Sequence, residues 1–558
     1  LKSLNITVMK KKNILYICTT AIMMASCYDG VEDNLAGGNT MEQAVDSVSN
    51  ISTAAGLLIT AQEQLIDKRE HKYQYQFNLH IDNYCGYMCL PHNFSGRINS
   101  TFEINDNFAS GPKANMSWVA QATVPVMTSA KRLNAEPLGA IANILFSYAA
   151  HQFVNVHGPF PYNANKRLQE SHPLVYDAEE LIYDSIFTDL EKDIAILKKY
   201  ENNLSEEMKI TISGIDKIAG GNLSKWIKFA NSLRLRMALN IVKIQPEKAK
   251  QIAEDAVRNG VLEESDGDVG MDLYTLYNKE RHPLWKISSS WVDTRLNANL
   301  HNILLRTGHP MLESFFEKNS ADIIDRSGKV SLQANQGFAS MRNGTLTSDQ
   351  SSSPAYISFS KLSQNFSMQK LMIFKVSEVL FLRAEGALYG WNMNGTPQAL
   401  YEAGIRASFN EFGFTSDACQ TYMQSEKAGN ENYIDYYNVF QNVDGVLTIP
   451  NKWLASGSNE EHLEQIITQK WIALFPMSLV AWTDMRRTGY PKQIAPVTNS
   501  EADGDGSIDP KYGIRRIPFS RDGDLEVADD IESTGLDALG GPDLQGTRLW
   551  WDVNKSNF

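Results

Sequence analysis

The sequence predicts a mainly α fold, a tetratricopeptide-like helical-repeat scaffold interrupted by long ordered loops. Three observations predict it. Apolar residues return at three- and four-residue steps through several long segments, the period of amphipathic helices. Those segments come in pairs of roughly 35 to 45 residues separated by loops, the length of a helical repeat unit. Residues 260–360 lose the period and fill with Gly, Asn, Ser and Asp, yet they keep Tyr274, Tyr277, Trp285 and Trp291. Linkers seldom carry large aromatics, so this stretch reads as ordered loop.

At the N-terminal end, Lys10, Lys11 and Lys12 precede an apolar run over 14–24, too short for a bilayer that needs about 20 residues. The run ends in Met24-Ala25-Ser26-Cys27, which resembles the lipobox of bacterial lipoproteins and names Cys27 as the lipidated first residue of the mature chain. Residues 1–26 are then a signal peptide, with 1–8 as an over-extended start before Met9, and the acidic stretch 27–40 is a flexible tether. The remainder, 41–558, is expected to form a single domain whose loop-rich insert lies at about 260–360. No further apolar stretch approaches a membrane span, so the lipid is the expected membrane attachment. Lys and Arg number 52 against 65 Asp and Glu, a net charge of -13 with no basic cluster outside the signal, which argues against nucleic acid and for a neutral ligand. With Cys18 and Cys27 set aside, Cys85, Cys89 and Cys419 remain and read as buried free thiols, a bridge between Cys85 and Cys89 staying open.

The elements follow in order. Met41, Ala44, Val45, Val48, Ile51, Ala55, Leu58 and Ile59 space a helix over 41–68. A second helix is read over 73–88, and 90–116, with Pro91, Gly96, Gly111 and Pro112, as loop. Helices return over 118–133 and 138–154. His157-Gly158-Pro159-Phe160-Pro161-Tyr162 stops the second of these, because prolines donate no hydrogen bond and glycine tolerates the turn. Asp177 ahead of Ala178-Glu179-Glu180 reads as the N-cap of a helix to Leu197. Between 225 and 243, Lys225, Lys228, Ser232, Arg236 and Lys243 trace a polar stripe opposite Trp226, Ala230, Leu233, Met237 and Ile241, leaving a narrow edge for water. Helical period resumes over 372–389 and, behind Pro397, over 397–412, with Ala384 and Ala387 facing Ala399, Ala403 and Ala407 across a close crossing. One more helix spans 460–474, and Gly- and Asp-rich coil follows Gly489.

Several of these segments carry a resemblance. The run Lys225-Trp226-Ile227-Lys228-Phe229-Ala230-Asn231-Ser232-Leu233-Arg234-Leu235-Arg236, the helix over 177–197, Gly158-Pro159-Phe160-Pro161-Tyr162, the helix from Ser377 to Gly390-Trp391, and Asp484-Met485-Arg486-Arg487-Thr488-Gly489-Tyr490-Pro491 resemble the SusD/RagB family. The ending over 547–552 resembles its second, SusD-like branch. The resemblance implies an outer-membrane lipoprotein facing the extracellular side, its helices docked on a TonB-dependent SusC-like transporter, while a loop-rich ligand-binding face captures a nutrient. In the family that nutrient is usually a glycan or oligosaccharide, and some relatives bind peptides.

The chemistry is expected to be capture without cleavage. His-Glu-x-x-His, Gly-x-Ser-x-Gly and phosphate-loop signatures do not occur, and a helical glycoside hydrolase, the remaining enzyme reading, needs two carboxylates flanking one bond. Asp484, Arg486 and Arg487, behind Trp471 and Trp482, read as a structural ion-pair group. Asp503, Asp505 and Asp509 cluster hard oxygens around glycines, a candidate for structural calcium although the twelfth position of an EF-hand is here Ile514; no other cofactor is expected. Sugars present apolar C–H faces and hydroxyls, so a site needs exposed aromatic planes beside amides or carboxylates. Two loop regions qualify: Tyr84, Tyr87 and Phe94 beside Asn83 and Asn93, and Tyr274, Tyr277, Trp285 and Trp291 beside Asp272, Asn278 and Asp293. Trp285 and Trp291 are the expected platform, with Tyr84 or Tyr87 completing it.

Overall fold

The computed structural model describes residues 48–558 apart from 105, 170, 499–512 and 522. Cys27, the signal and tether, the start of the helix expected over 41–68, and Asp503, Asp505 and Asp509 lie outside the described residues. Helix α1 (Ile51–Leu65) is capped by Asn50, whose Oδ1 accepts from Thr53 N at 2.9 Å. It packs on α2 (Asp106–Ser129) and α3 (Glu136–His157), and the stack continues through α4 (Glu179–Tyr200), α5 (Glu206–Ile215), α6 (Leu223–Asn240) and α7 (Pro246–Asn259). The loop-rich part contributes the short α8 (Pro283–Ser289) and α9 (Ala298–Thr307). Helices α10 (Val376–Leu388), α11 (Pro397–Glu411), α12 (Asn459–Leu474) and α13 (Ser478–Thr488) form a second group, joined to the first where α6 meets α10.

Strong local signals gave correct elements. Ser458 and Glu461 close a reciprocal capping box on α12, with Glu461 N donating to Ser458 Oγ at 3.3 Å and Ser458 N to Glu461 Oε2 at 2.8 Å. Other expectations are corrected. The helix read over 73–88 breaks into a turn at Glu70–Tyr73, a π turn at Gln74–Asn78 and a turn at Ile81–Tyr84. It ends in strand β1 (Met88–Cys89), which pairs antiparallel with β3 (Arg295–Leu296), so a distant partner decides its geometry. The loop read over 90–116 loses its second half to α2, which runs through Gly111 and Pro112; a Cβ on Gly111 would strike the Tyr75 backbone of the π turn. Strand β6 (Leu371–Phe374) pairs with β2 (Val269–Met271) where the sequence pattern continued a helix. The N-cap of α4 is Ala178, while Asp177 accepts from Asn163 N and Nδ2, both at 2.8 Å. Ala399 is exposed, and the close crossing of α10 and α11 is made by Gly404, where a Cβ would lie 2.8 Å from the Phe381 ring.

The interior holds charge as well as hydrocarbon. Arg236, read as part of a wet stripe, is buried and donates Nε and Nη2 to the Glu378 carboxylate at 2.7 and 2.9 Å, tying α6 to α10. Arg487 donates Nη1 and Nη2 to Glu385 at 2.5 and 2.6 Å and Nε to Asp484 at 2.9 Å, and Asp484 also meets Lys470 at 2.8 Å. Burial works against ionisation of Asp484, yet Lys470 and Arg487 together hold it below the usual carboxylate range. Arg486 lies over the Trp482 ring at 3.6 Å and donates to the carbonyls of Arg515 and Asn155, both at 2.6 Å. The group is scaffold. Cys85, Cys89 and Cys419 are free and buried.

Buried titratable groups set a pH dependence. Burial pushes His282 down to about 3, and His157 and His309 likewise to about 3, from an unfolded value of 6.5. Below that value the unfolded chain binds protons that the folded chain refuses, so their contribution to stability falls from about pH 6.5 downward. Burial pushes Glu179 up to about 8 and Glu411 to about 7, from 4.5; here the folded chain keeps protons, and stability grows as pH falls from about 8 to 4.5. His80 and His301, pushed down to about 4, join the histidine side and Asp82, pushed up to about 6, the carboxyl side, so below about pH 6.5 five histidines outnumber three carboxyls, and each uncompensated group costs about 1.4 kcal/mol per unit. The melting temperature should therefore fall as pH drops below about 6.5 and fall more steeply below about 4.5, where the glutamates no longer compensate. A melting temperature still rising at about pH 4 would contradict this assignment.

Candidate functional site

The β1–β3 pairing sets the segments after each strand and before it side by side. Past β1 the chain reaches His92 and Phe94, whose rings stack at 5.1 Å and 25°, and then turns tightly: Phe94 N donates to Arg97 O at 2.9 Å and Arg97 N back to Phe94 O at 2.8 Å. Ser95 and Gly96, at φ 46° and 73°, supply the two left-handed residues that such a hairpin turn requires. Before β3, Trp291 N donates to Lys286 O at 3.1 Å and Asp293 N to Ile287 O at 3.0 Å. Between them Val292 adopts φ 67°, costly for a β-branched residue, and that conformation lets the chain step from Trp291 back to Asp293. Asp293 is buried, with His92 Nε2 at 3.0 Å and Gln74 Nε2 donating at 2.8 Å, so it locks the two segments together from below.

A strap over 342–353 crosses both. Asn93 N donates to Ser348 O at 3.0 Å, Thr347 Oγ1 to Asn93 Oδ1 at 2.6 Å, and Gln350 Nε2 to the Trp291 carbonyl at 3.3 Å. Gly344 anchors the strap, its N donating to Ser100 O at 2.7 Å; its φ of 81° and the Thr498 backbone against it leave no room for a side chain. The result is a polar loop face with two half-buried aromatics, Phe94 and Trp291, at its edge and side-chain amides beside them. Chemically it can hold an apolar ring face and hydrogen-bond hydroxyls. Its buried carboxylate, Asp293, has both oxygens engaged and does not supply the facing pair that glycosidic hydrolysis uses.

The model of a family described as Susd and RagB outer membrane lipoprotein, SusD-like, matches residues 38–552. The chain belongs to this SusD-like family. Solved structures share its shape. A chitin-binding SusD homolog from Flavobacterium johnsoniae is 31% identical at TM-score 0.78, with 90% of this chain and 100% of that chain covered. A SusD-like protein from Bacteroides thetaiotaomicron is 27% identical at TM-score 0.78, with 90% of this chain and 99% of that one covered. A SusD homolog from Bacteroides uniformis is 27% identical at TM-score 0.77, with the same coverage of 90% and 99%. Among curated proteins none matches in sequence. As expected for the family, the scaffold is helical, and among the described residues no helix is long and apolar enough to cross a membrane.

In this SusD-like chain the expected aromatics divide into four places. Phe94 and Trp291 lie on the two segments that the strap ties, through Asn93 and the Trp291 carbonyl. Trp285, half-buried, sits six residues earlier on α8, whose start is capped by His282 Nδ1 accepting from Leu284 N at 3.2 Å. Tyr274 and Tyr277 lie together elsewhere, each ring covered by a cation: Arg281 at 4.9 Å over Tyr274 and Lys68 at 4.4 Å over Tyr277, whose hydroxyl donates to Glu63 at 2.5 Å. Tyr84 and Tyr87 are corrections, since both are core. Tyr84 packs against Phe102 at 6.0 Å and Trp482 at 5.5 Å. Tyr87 lies 4.7 Å from Trp471, to whose carbonyl its hydroxyl donates. Their helix-and-strand segment points inward, which the broken 73–88 pattern concealed. The strap was missed because its residues are ordinary loop formers with no motif. Among the described residues no group of His, Cys, Asp and Glu could hold a metal ion.

Proposed function

We propose that this protein captures a glycan on the outer face of the outer membrane and delivers it to a TonB-dependent SusC-like transporter, without cleaving it. The observation that carries the reading is the loop face itself: Trp291 and Phe94 held at its edge by a strap of amide and hydroxyl side chains, with Asp293 committed to structure below. Family membership supports the capture role and the transporter partner. The Flavobacterium johnsoniae relative, named for chitin binding, makes N-acetylglucosamine oligomers the first ligands to try. The lipid on Cys27 would keep the protein at the surface, since a -13 chain gains nothing from anionic headgroups.

Affinity gels and calorimetry with chitin oligosaccharides and a panel of other polysaccharides test this. Retardation with no new reducing ends is the expected result. Product release at a useful rate replaces capture with hydrolysis, and binding to peptides but to no glycan replaces the ligand class.

A further inference from the structure

Phe440 is 90% exposed, more than any other large apolar side chain among the described residues, and Val439 beside it is 56% exposed. A solitary ring at a mobile tip would mean little, but this tip is braced. Buried Asp435 accepts from Tyr437 N and Asn438 N, both at 2.9 Å, and from the Tyr356 hydroxyl at 3.1 Å. Tyr433 N and Val443 O pair at 2.9 Å across its base, and the hairpin of β4 (Ile323–Ile324) and β5 (Val330–Leu332) supports one side through Arg326 N donating to Tyr437 O at 3.0 Å. The ring is thus held out rigidly, at a cost in exposed hydrocarbon that folding alone does not explain.

Its surroundings are those of a sugar site more than of a protein-docking knob. The run Tyr436-Tyr437-Asn438-Val439-Phe440-Gln441-Asn442-Val443 contains no charge. Buried Gln441 accepts from Thr345 Oγ1 at 2.9 Å and fixes the tip to the strap, while exposed Asn442 spends its Oδ1 on Asp435 N at 2.8 Å, which leaves its NH2 group available. An exposed aromatic plane with an unspent amide donor beside it matches a sugar's C–H face and hydroxyl groups.

The strap joins this tip to the loop face. Thr345 bonds Gln441, the next residue Leu346 is 64% exposed, Thr347 bonds Asn93 beside Phe94, and Gln350 bonds Trp291. The chain between Thr345 and Gln350 spans at most about 17 Å, so both ends fall within reach of one extended oligosaccharide. We propose that the 436–443 tip is a second sugar subsite, with Phe440 as its stacking plane and the exposed Asn442 amide as its hydrogen-bond partner, so that the protein favours linear chains longer than a disaccharide. This rests on the glycan-capture reading of the loop face.

Phe440→Ser tests it, with melting temperature as the control for folding, because an exposed ring contributes little to stability. Calorimetry with the N-acetylglucosamine disaccharide and hexasaccharide should show the wild-type protein preferring the longer chain. The variant should lose about tenfold for the hexasaccharide and nothing for the disaccharide. Equal affinity of variant and wild type for the hexasaccharide overturns the second subsite while leaving capture intact, and so does an equal loss at both lengths. Unchanged glycan binding with lost co-purification of the transporter overturns it in favour of a protein contact. A wild-type protein that binds no glycan of any length removes the capture reading itself, and the subsite with it.

Discussion

Replacing Glu385 with alanine is expected to lower stability by about 3–5 kcal/mol, because the Arg487 guanidinium would be left buried without its bidentate partner. Both side chains are closed to solvent, at 2% and 0% exposure, and the two bonds of 2.5 and 2.6 Å tie α13 to α10 across the second helix group. Asp484 compensates in part through its 2.9 Å bond to Arg487 Nε, so the loss stays below that of an isolated buried charge. Replacing both partners with apolar residues of similar volume should cost far less than either single change, since the buried charges that remain, Asp484 and Lys470, still balance each other. Thermal and denaturant unfolding of the two single variants and the double variant measure the coupling. Additive losses would mean that the pair is not acting as a unit.

Trp291→Ala should weaken glycan binding by about ten- to a hundredfold, or about 1.4–2.8 kcal/mol, while the melting temperature changes little. The ring is half-buried at the edge of the face, and its backbone, not its side chain, carries the bonds to Lys286 and Gln350 that hold the loop. Removing the ring therefore takes away contact surface without untying the strap. Trp285→Ala provides the comparison, since both rings are half-buried against the core but Trp285 lies on α8, away from the strap's bond to the Trp291 carbonyl. A larger binding loss at Trp285 than at Trp291 would move the platform along the helix. Calorimetry with the hexasaccharide decides between them, and full binding by both variants would place the ligand away from this face.

The sequence by itself determined the scaffold and its family. Elements with local causes were legible: the capped α12, the stop at Gly158, the helices over 138–154 and 397–412. Each is fixed by residues within a turn or two of one another, where period and capping act. The quoted segments from Gly158 to Tyr490 lie within 38–552 of the family match, and their order along the chain carried the resemblance. The ion-pair reading of Asp484 and Arg487 was legible too, because two tryptophans flanking charges imply burial.

Only the tertiary structure decided which aromatics face water. Tyr84 and Tyr87 look in sequence like loop aromatics beside asparagine, yet β1 finds its partner at Arg295–Leu296 and turns both rings into the core. The same pairing sets the Phe94 and Trp291 segments side by side, tied by His92 and Asp293, a juxtaposition of residues far apart in the chain that no local pattern encodes. Phe440 sits in a short charge-free run that sequence reasoning passed over, and its exposure follows from Asp435, Tyr356 and the β4–β5 hairpin closing around its base. Helices are written by neighbours a turn apart, whereas a binding face is assembled by long-range pairing and by what is left over once the core is filled.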